Sequence, residues 1–197
     1  MSLLIKICGL SEEQHVAAAV EAGAAAVGFV FAESVRRITP GKASVICANV
    51  PQDIKRVAVM LHPSNEEWQD VLENFGPDVL QTDVDDFAGL EVPESVECWP
   101  VYREGLANPD TTGAYVYEGL QSGQGETVDW SHAAKHARRG RMILAGGLAA
   151  HNVAVAVAAV RPYGVDVSSA VETAPGQKNA KLIENFVSAA RAAEKHS

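Results

Sequence analysis

Short apolar runs rich in β-branched residues alternate along this chain with longer segments whose apolar positions recur at helical spacing, and the alternation repeats about eight times. The runs at 3–8, 26–31, 56–61, 78–82, 97–102, 114–118, 142–145 and 164–167 predict strands. Between them, Ser11 ahead of Glu12, Glu13 and Gln14 has the chemistry of an N-cap, and the alanine-rich stretch to Ala22 stops at Gly23. Thr39-Pro40 predicts a second helix start, with a cap followed by proline in the first turn. Ser64-Asn65-Glu66-Glu67 predicts a third helix that ends near Gly76. Later helices are expected from near Trp130, from near Asn152, and over 180–194. The fourth unit offers barely a turn, at 86–90, and the fifth, 104–113, contains Asn108-Pro109-Asp110 and reads as a loop.

Strands that alternate with helices feed a parallel sheet, and 197 residues shared among eight units leave about 25 for each. The expectation is an α/β fold: a compact (β/α)8 TIM barrel whose fifth helix is short or absent, as one domain over 1–197. The competing open doubly wound sheet lacks its GxGxxG fingerprint, because the first strand ends in Cys8-Gly9-Leu10.

A formal charge of −9 argues against a general electrostatic grip on nucleic acid or on an anionic membrane, so an anionic ligand needs a local pocket. Cys8, Cys47 and Cys98 are widely spaced and lack the pattern of a disulfide framework or a zinc site. MSLLIKICGL lacks a signal-peptide core, and no apolar stretch approaches the roughly 18 residues of a membrane span. A cytoplasmic protein is expected, with a small-molecule partner and no nucleic acid or membrane; oligomeric state is not legible.

A barrel of this kind keeps its chemistry at the C-terminal ends of its strands. Strand parity puts Leu4, Lys6 and Cys8 on one face, Val116 and Glu118 on another, and Asp166 and Ser168 on a third. Ala145-Gly146-Gly147-Leu148 and Ser168-Ser169-Ala170-Val171 follow the seventh and eighth strands, where backbone N–H groups of this fold bind phosphate; two ordinary tight turns are the plain alternative. Cys8 is a small buried hydrophobe or a base, and the second role needs positive charge nearby. Strands 1 and 8 adjoin in a closed barrel, so Lys6 and Asp166 can pair, for structure or for chemistry. Glu118 is either a solvated loop residue or an inward carboxylate whose setting lets it hold a proton as a general acid. Arg36 and Arg37 offer planar forks for a carboxylate. His15, His132, His136 and His196 do not cluster, and Ser168 lacks the context of a nucleophile elbow.

These residues in this order resemble the phosphoribosylanthranilate isomerases of tryptophan biosynthesis. The likeness rests on Lys6-Ile7-Cys8-Gly9-Leu10, Ala22-Gly23-Ala24, Val27-Gly28-Phe29-Val30-Phe31 and Ser34-Val35-Arg36-Arg37-Ile38-Thr39-Pro40. It continues with Ala145-Gly146-Gly147-Leu148, Asn152-Val153, the run from Val165 to Glu172, and Pro175-Gly176. The resemblance implies a (β/α)8 barrel catalysing an Amadori rearrangement by general acid–base chemistry, with no cofactor or metal. It implies Cys8 as base, Glu118 at the position of the acid, Arg36 on the anthranilate carboxylate, Asp166 beside the bridging amine, and Gly146, Gly147, Ser168, Ser169 and Ala170 around the phosphate.

The chain departs from the family at three places. Gln81-Thr82-Asp83-Val84 replaces Gln-Leu-His-Gly, Glu118 replaces an aspartate, and Ala170 replaces a glycine. Asp83 adds negative charge near an anionic substrate, Glu118 is one methylene longer, and Ala170 strains its loop if the backbone there has positive φ. The resemblance and these departures together leave three readings: a working isomerase with Glu118 as acid, a relative that binds a phosphorylated ligand without turnover, and a sugar-phosphate isomerase with a changed aglycone.

Overall fold

Runs that are apolar on both faces suit strands covered by helices outside and by side-chain filling inside, and eight such runs close here into a parallel barrel. The structure is a computed structural model that describes residues 2–106, 108–110, 112–120 and 128–194. Its strands are β1 (Leu4–Cys8), β2 (Ala26–Val30), β3 (Lys55–Val59), β4 (Val79–Asp83), β5 (Glu97–Arg103), β6 (Ala114–Glu118), β7 (Arg141–Leu144) and β8 (Gly164–Val167). Each pairs with the next, and β8 pairs with β1. Cross-strand partners such as Lys6 with Asp166, Cys8 with Gly28, Gln81 with Trp99 and Arg103 with Glu118 fix which residues face inward.

Two apolar layers result. The outer one lies between strands and helices, and the inner one fills the barrel with Leu4, Ala26, Val57, Val79, Trp99, Val101, Ala114, Val116, Ile143 and Ala145. Trp99 is wholly buried there, and the alanines on other strands leave room for its ring. Below it, at the N-terminal end, Glu97 binds Lys55 at 2.9 Å and Arg141 at 3.4 Å, and Arg141 lies over the ring of Tyr163. These charges form the barrel's floor.

The helices are α1 (Glu13–Ala22), α2 (Pro40–Ile46), α3 (Asn65–Asn74), α4 (Trp130–Ala137), α5 (Val153–Val160) and α6 (Ala180–Glu194). Thr39 caps α2, with Pro40 at its start; Ser64 and Glu67 form a reciprocal capping box on α3; Gly23 closes α1 at φ 93°. Ser11 is not a cap: the chain enters α1 one residue later, and the Glu12 carbonyl accepts the first helical N–H groups without a side-chain cap. The fourth unit holds a 3₁₀ turn over Val84–Gly89. Among the described residues the fifth unit has no helix. Residues 107 and 111, the run 121–127, and His196 lie outside the described residues.

After β8 the chain makes a 3₁₀ turn (Ser169–Val171) and a small hairpin of β9 (Glu172–Ala174) and β10 (Gln177–Lys178), neither of which the sequence pattern predicts. Among the described residues, no helix is long and apolar enough to cross a membrane.

Candidate active site

The C-terminal ends of the strands surround a cavity of about 280 Å³ lined by Cys8, Arg36, Gln81, Asp83, Arg103, Glu118, Gly146, Gly147, Asp166, Ser168 and Ser169 among others. Cys8 and Glu118 thus face one space from β1 and β6. Lys6 sits beneath Cys8, fully buried, with its Nζ 2.9 Å from Asp166 Oδ2. Burial opposes the ammonium charge, yet Asp166 and Cys8 outweigh it and raise the lysine's pKa, so Lys6 stays protonated. Burial pushes the Cys8 thiol up, and the charge of Asp166 adds to it; Lys6 and Lys178 pull it down but only in part, so the thiol stays above its ordinary value. Gly28 makes this arrangement possible, since a Cβ there would stand 3.1 Å from Cys8 Sγ and 3.0 Å from Lys6 Cε. Asp166 Oδ1 is buried with no hydrogen-bond partner, and so is Gln81 Oε1; both residues line the cavity.

Of the two settings open to Glu118, the structure shows the inward one, with its carboxylate beside a cation. Arg103, its register partner on β5, donates from Nη1 to Glu118 Oε1 at 2.6 Å and from Nη2 to Asp83 Oδ1 at 2.6 Å. The charge that Asp83 adds is therefore met by an arginine inside the site.

The glycine loop after β7 turns through two positive-φ residues, Gly146 (88°) and Gly147 (61°). Asn152 braces it, accepting from the Ala149 N–H and donating to the Gly147 carbonyl, each at 2.8 Å. The N–H groups of Gly146 and Gly147 bond to no described residue and stand at the cavity wall. Ser168 differs from expectation. Its hydroxyl donates to the Cys8 carbonyl at 3.2 Å and receives the Lys178 ammonium at 3.2 Å, so it ties β8 to β1. Ser169 and Ala170 are exposed, and Ala170 lies outside the positive-φ region, so alanine brings no strain.

Arg36 grips a carboxylate, but one of this chain. Its Nε and Nη2 hold Glu172 at 2.7 and 2.9 Å, and Nη1 is the guanidinium nitrogen that Glu172 does not take. Lys178 binds the same carboxylate at 2.6 Å. Burial works against the charge of Glu172, yet the two cations hold its carboxyl down to about 2. The unpredicted hairpin thus carries the brace for Arg36. Arg37 does not join the cavity and lines a separate hollow beside α2 and α3.

Sequence reasoning missed Arg103, Gln81 and His62. His62 sits at φ 46°, unusual for a residue with a side chain, and its Nδ1 lies 2.8 Å from Asp86 and its Nε2 3.8 Å from Asp83. The signal for Arg103 was parity: ending the fifth strand at 102 left out the one residue that continues its inward face to the mouth.

Residues 5–189 match the family model of N-(5'-phosphoribosyl)anthranilate isomerases. The chain is 36% identical over 203 residues to the enzyme of that name from Listeria welshimeri, covering 98% of this chain and all of the relative. A phosphoribosyl anthranilate isomerase from Thermus thermophilus superposes with a TM-score of 0.80 at 30% identity, covering 96% of this chain and 99% of that one. Another isomerase of this name, solved with reduced 1-(o-carboxyphenylamino)-1-deoxyribulose 5-phosphate, superposes at 0.79 with 29% identity and coverage of 96% and 99%.

Proposed function

The chain belongs to the phosphoribosylanthranilate isomerase family, and on that footing we propose the residues that carry its Amadori rearrangement of N-(5-phosphoribosyl)anthranilate to 1-(2-carboxyphenylamino)-1-deoxyribulose 5-phosphate. The whole chain acts as one domain. The observation that carries the assignment is a thiol and a carboxyl facing one cavity from opposite walls, with a glycine loop for phosphate between them.

Glu118, protonated, gives its proton to the furanose ring oxygen, and the C1′–O bond breaks as the nitrogen lone pair forms a C=N⁺ iminium. Cys8, as thiolate, removes the C2′ proton, and the electron pair returns to nitrogen to give an enolamine. Tautomerisation moves the enol proton to C1′ and leaves the ketone. Lys6 serves this step by holding positive charge below Cys8, which partly counters the burial that favours the protonated thiol. Asp166 Oδ1, without a partner in the structure, accepts from the bridging amine. Arg36 presents its Nη1 to the anthranilate carboxylate. The backbone at Gly146, Gly147, Ser168, Ser169 and Ala170 binds the phosphate, and the substrate is a phosphorylated small molecule. Three free cysteines suit a reducing cytoplasm.

The test is loss of substrate fluorescence on adding enzyme. Cys8→Ser and Glu118→Gln should each lower kcat by about 100-fold or more and leave binding of a reduced product analogue within a few-fold. Unchanged turnover in either variant removes that residue from the mechanism.

A further inference from the structure

The top inward position on each of three adjacent strands is charged: Asp83 on β4, Arg103 on β5 and Glu118 on β6. All three line the cavity, and their side chains are only 19%, 12% and 14% exposed. One guanidinium therefore serves two carboxylates, through different nitrogens of a rigid planar fork. The arrangement has two physical consequences. A fork fixed at one tine by Asp83 has a fixed direction at the other, so it pins the end of the Glu118 side chain, which has one more rotatable bond than an aspartate. The two neighbours also act on the Glu118 proton in opposite senses: Arg103 favours the carboxylate, and Asp83 opposes it, by its own charge and by engaging Nη2 of the same guanidinium.

We propose that Arg103 is a positioning residue for this isomerase, holding the Glu118 carboxyl toward the substrate, and that Asp83 competes for its guanidinium so that Glu118 keeps a proton to donate. The inference rests on Glu118 being the acid. Other titratable or charged groups also face this row. His62 from the loop after β3 lies 3.8 Å from Asp83, and Asp86 of the 3₁₀ turn holds His62. Glu33, Cys8, Arg36 and Asp166 stand around the same cavity. Arg103 touches both carboxylates.

The experiment reads the proton directly. Protein labelled with ¹³C at the glutamate carboxyl is titrated by NMR, with the Glu118 resonance identified by its absence in Glu118→Gln. Asp83→Asn removes the competing charge beside the guanidinium and should lower the Glu118 midpoint by about one pH unit, while Arg103→Met leaves two carboxylates together and should raise it by about one unit or more. Arg103→Lys restores charge without the fork, so its midpoint should return toward wild type while kcat stays about 10-fold down with KM changed less. Midpoints that do not move, or that move in the same direction in Asp83→Asn and Arg103→Met, overturn the inference, as does full kcat in Arg103→Lys. If Arg103→Met does not fold, Asp83→Asn and Arg103→Lys decide it. Turnover of Glu118→Gln separates the two levels: a fully active variant removes the acid assignment and this inference with it, whereas an inactive one with unmoved midpoints removes only the inference.

Discussion

Gly28 is the position where a single added carbon should separate fold from catalysis. Its φ lies outside the left-handed region, so alanine meets no backbone penalty there. An alanine Cβ would, however, stand 3.0 Å from Lys6 Cε, 3.1 Å from Cys8 Sγ and 3.2 Å from Lys6 Nζ. Carbon contacts are comfortable at about 3.5–4.0 Å, so these atoms must retreat by roughly 0.5 Å. Neither neighbour has slack: Lys6 is fully buried and fixed to Asp166 at 2.9 Å, and Cys8 is too short to swing away. Overpacking of this kind costs about 1–3 kcal/mol, partly offset by the lower chain entropy of alanine in the unfolded state, about 0.5–1 kcal/mol. The net loss is about 0–2.5 kcal/mol, which for a chain of this size corresponds to a Tm drop of at most roughly 10 °C. Catalysis should suffer more, because a displacement of about 1 Å costs on the order of 100-fold; half of that predicts a kcat lower by about 10-fold or more. Steady-state fluorescence kinetics and a thermal melt on Gly28→Ala measure both. A kcat within twofold of wild type would refute the claim that Gly28 sets the Cys8–Lys6 geometry.

Glu172→Gln leaves the buried Lys178 ammonium without its carboxylate and should destabilise the protein by about 3 kcal/mol at pH 7, measured by urea denaturation. The folded pKa of Glu172 is depressed to about 2, so its contribution is present above the unfolded value of 4.5 and is lost as pH falls toward 2; the wild-type advantage should shrink across that window. Ser64→Ala removes the α3 capping box far from the chemistry and should cost about 1 kcal/mol with kcat unchanged; a large kcat effect would mean that α3 is coupled to the mouth.

Most of the frame was legible because it rests on local signals. Apolar runs marked the eight strands, Thr39-Pro40 and Ser64 with Glu67 marked two helix starts, and parity turned Lys6, Cys8, Glu118 and Asp166 inward. What escaped depends on partners distant in sequence. Nothing near Arg36 announces Glu172, 136 positions on, and the hairpin that carries Glu172 is too short and polar to show as strands. Arg103 was hidden by a one-residue boundary error, since Glu104-Gly105 reads as a turn. His62 lies in a loop, where periodicity carries no information, and its place beside Asp86 follows from tertiary structure alone.

The floor of the barrel also governs traffic. Trp99 fills the axis and Lys55, Glu97 and Arg141 cross the bottom, so nothing the size of a sugar phosphate passes through the middle. Among the described residues the cavity opens at the C-terminal ends of the strands, away from this floor. Product leaves by the opening through which substrate arrived, so the two queue for the same vacancy: accumulating ketose holds the next aminoaldose outside, and throughput depends on whatever downstream step draws the product away.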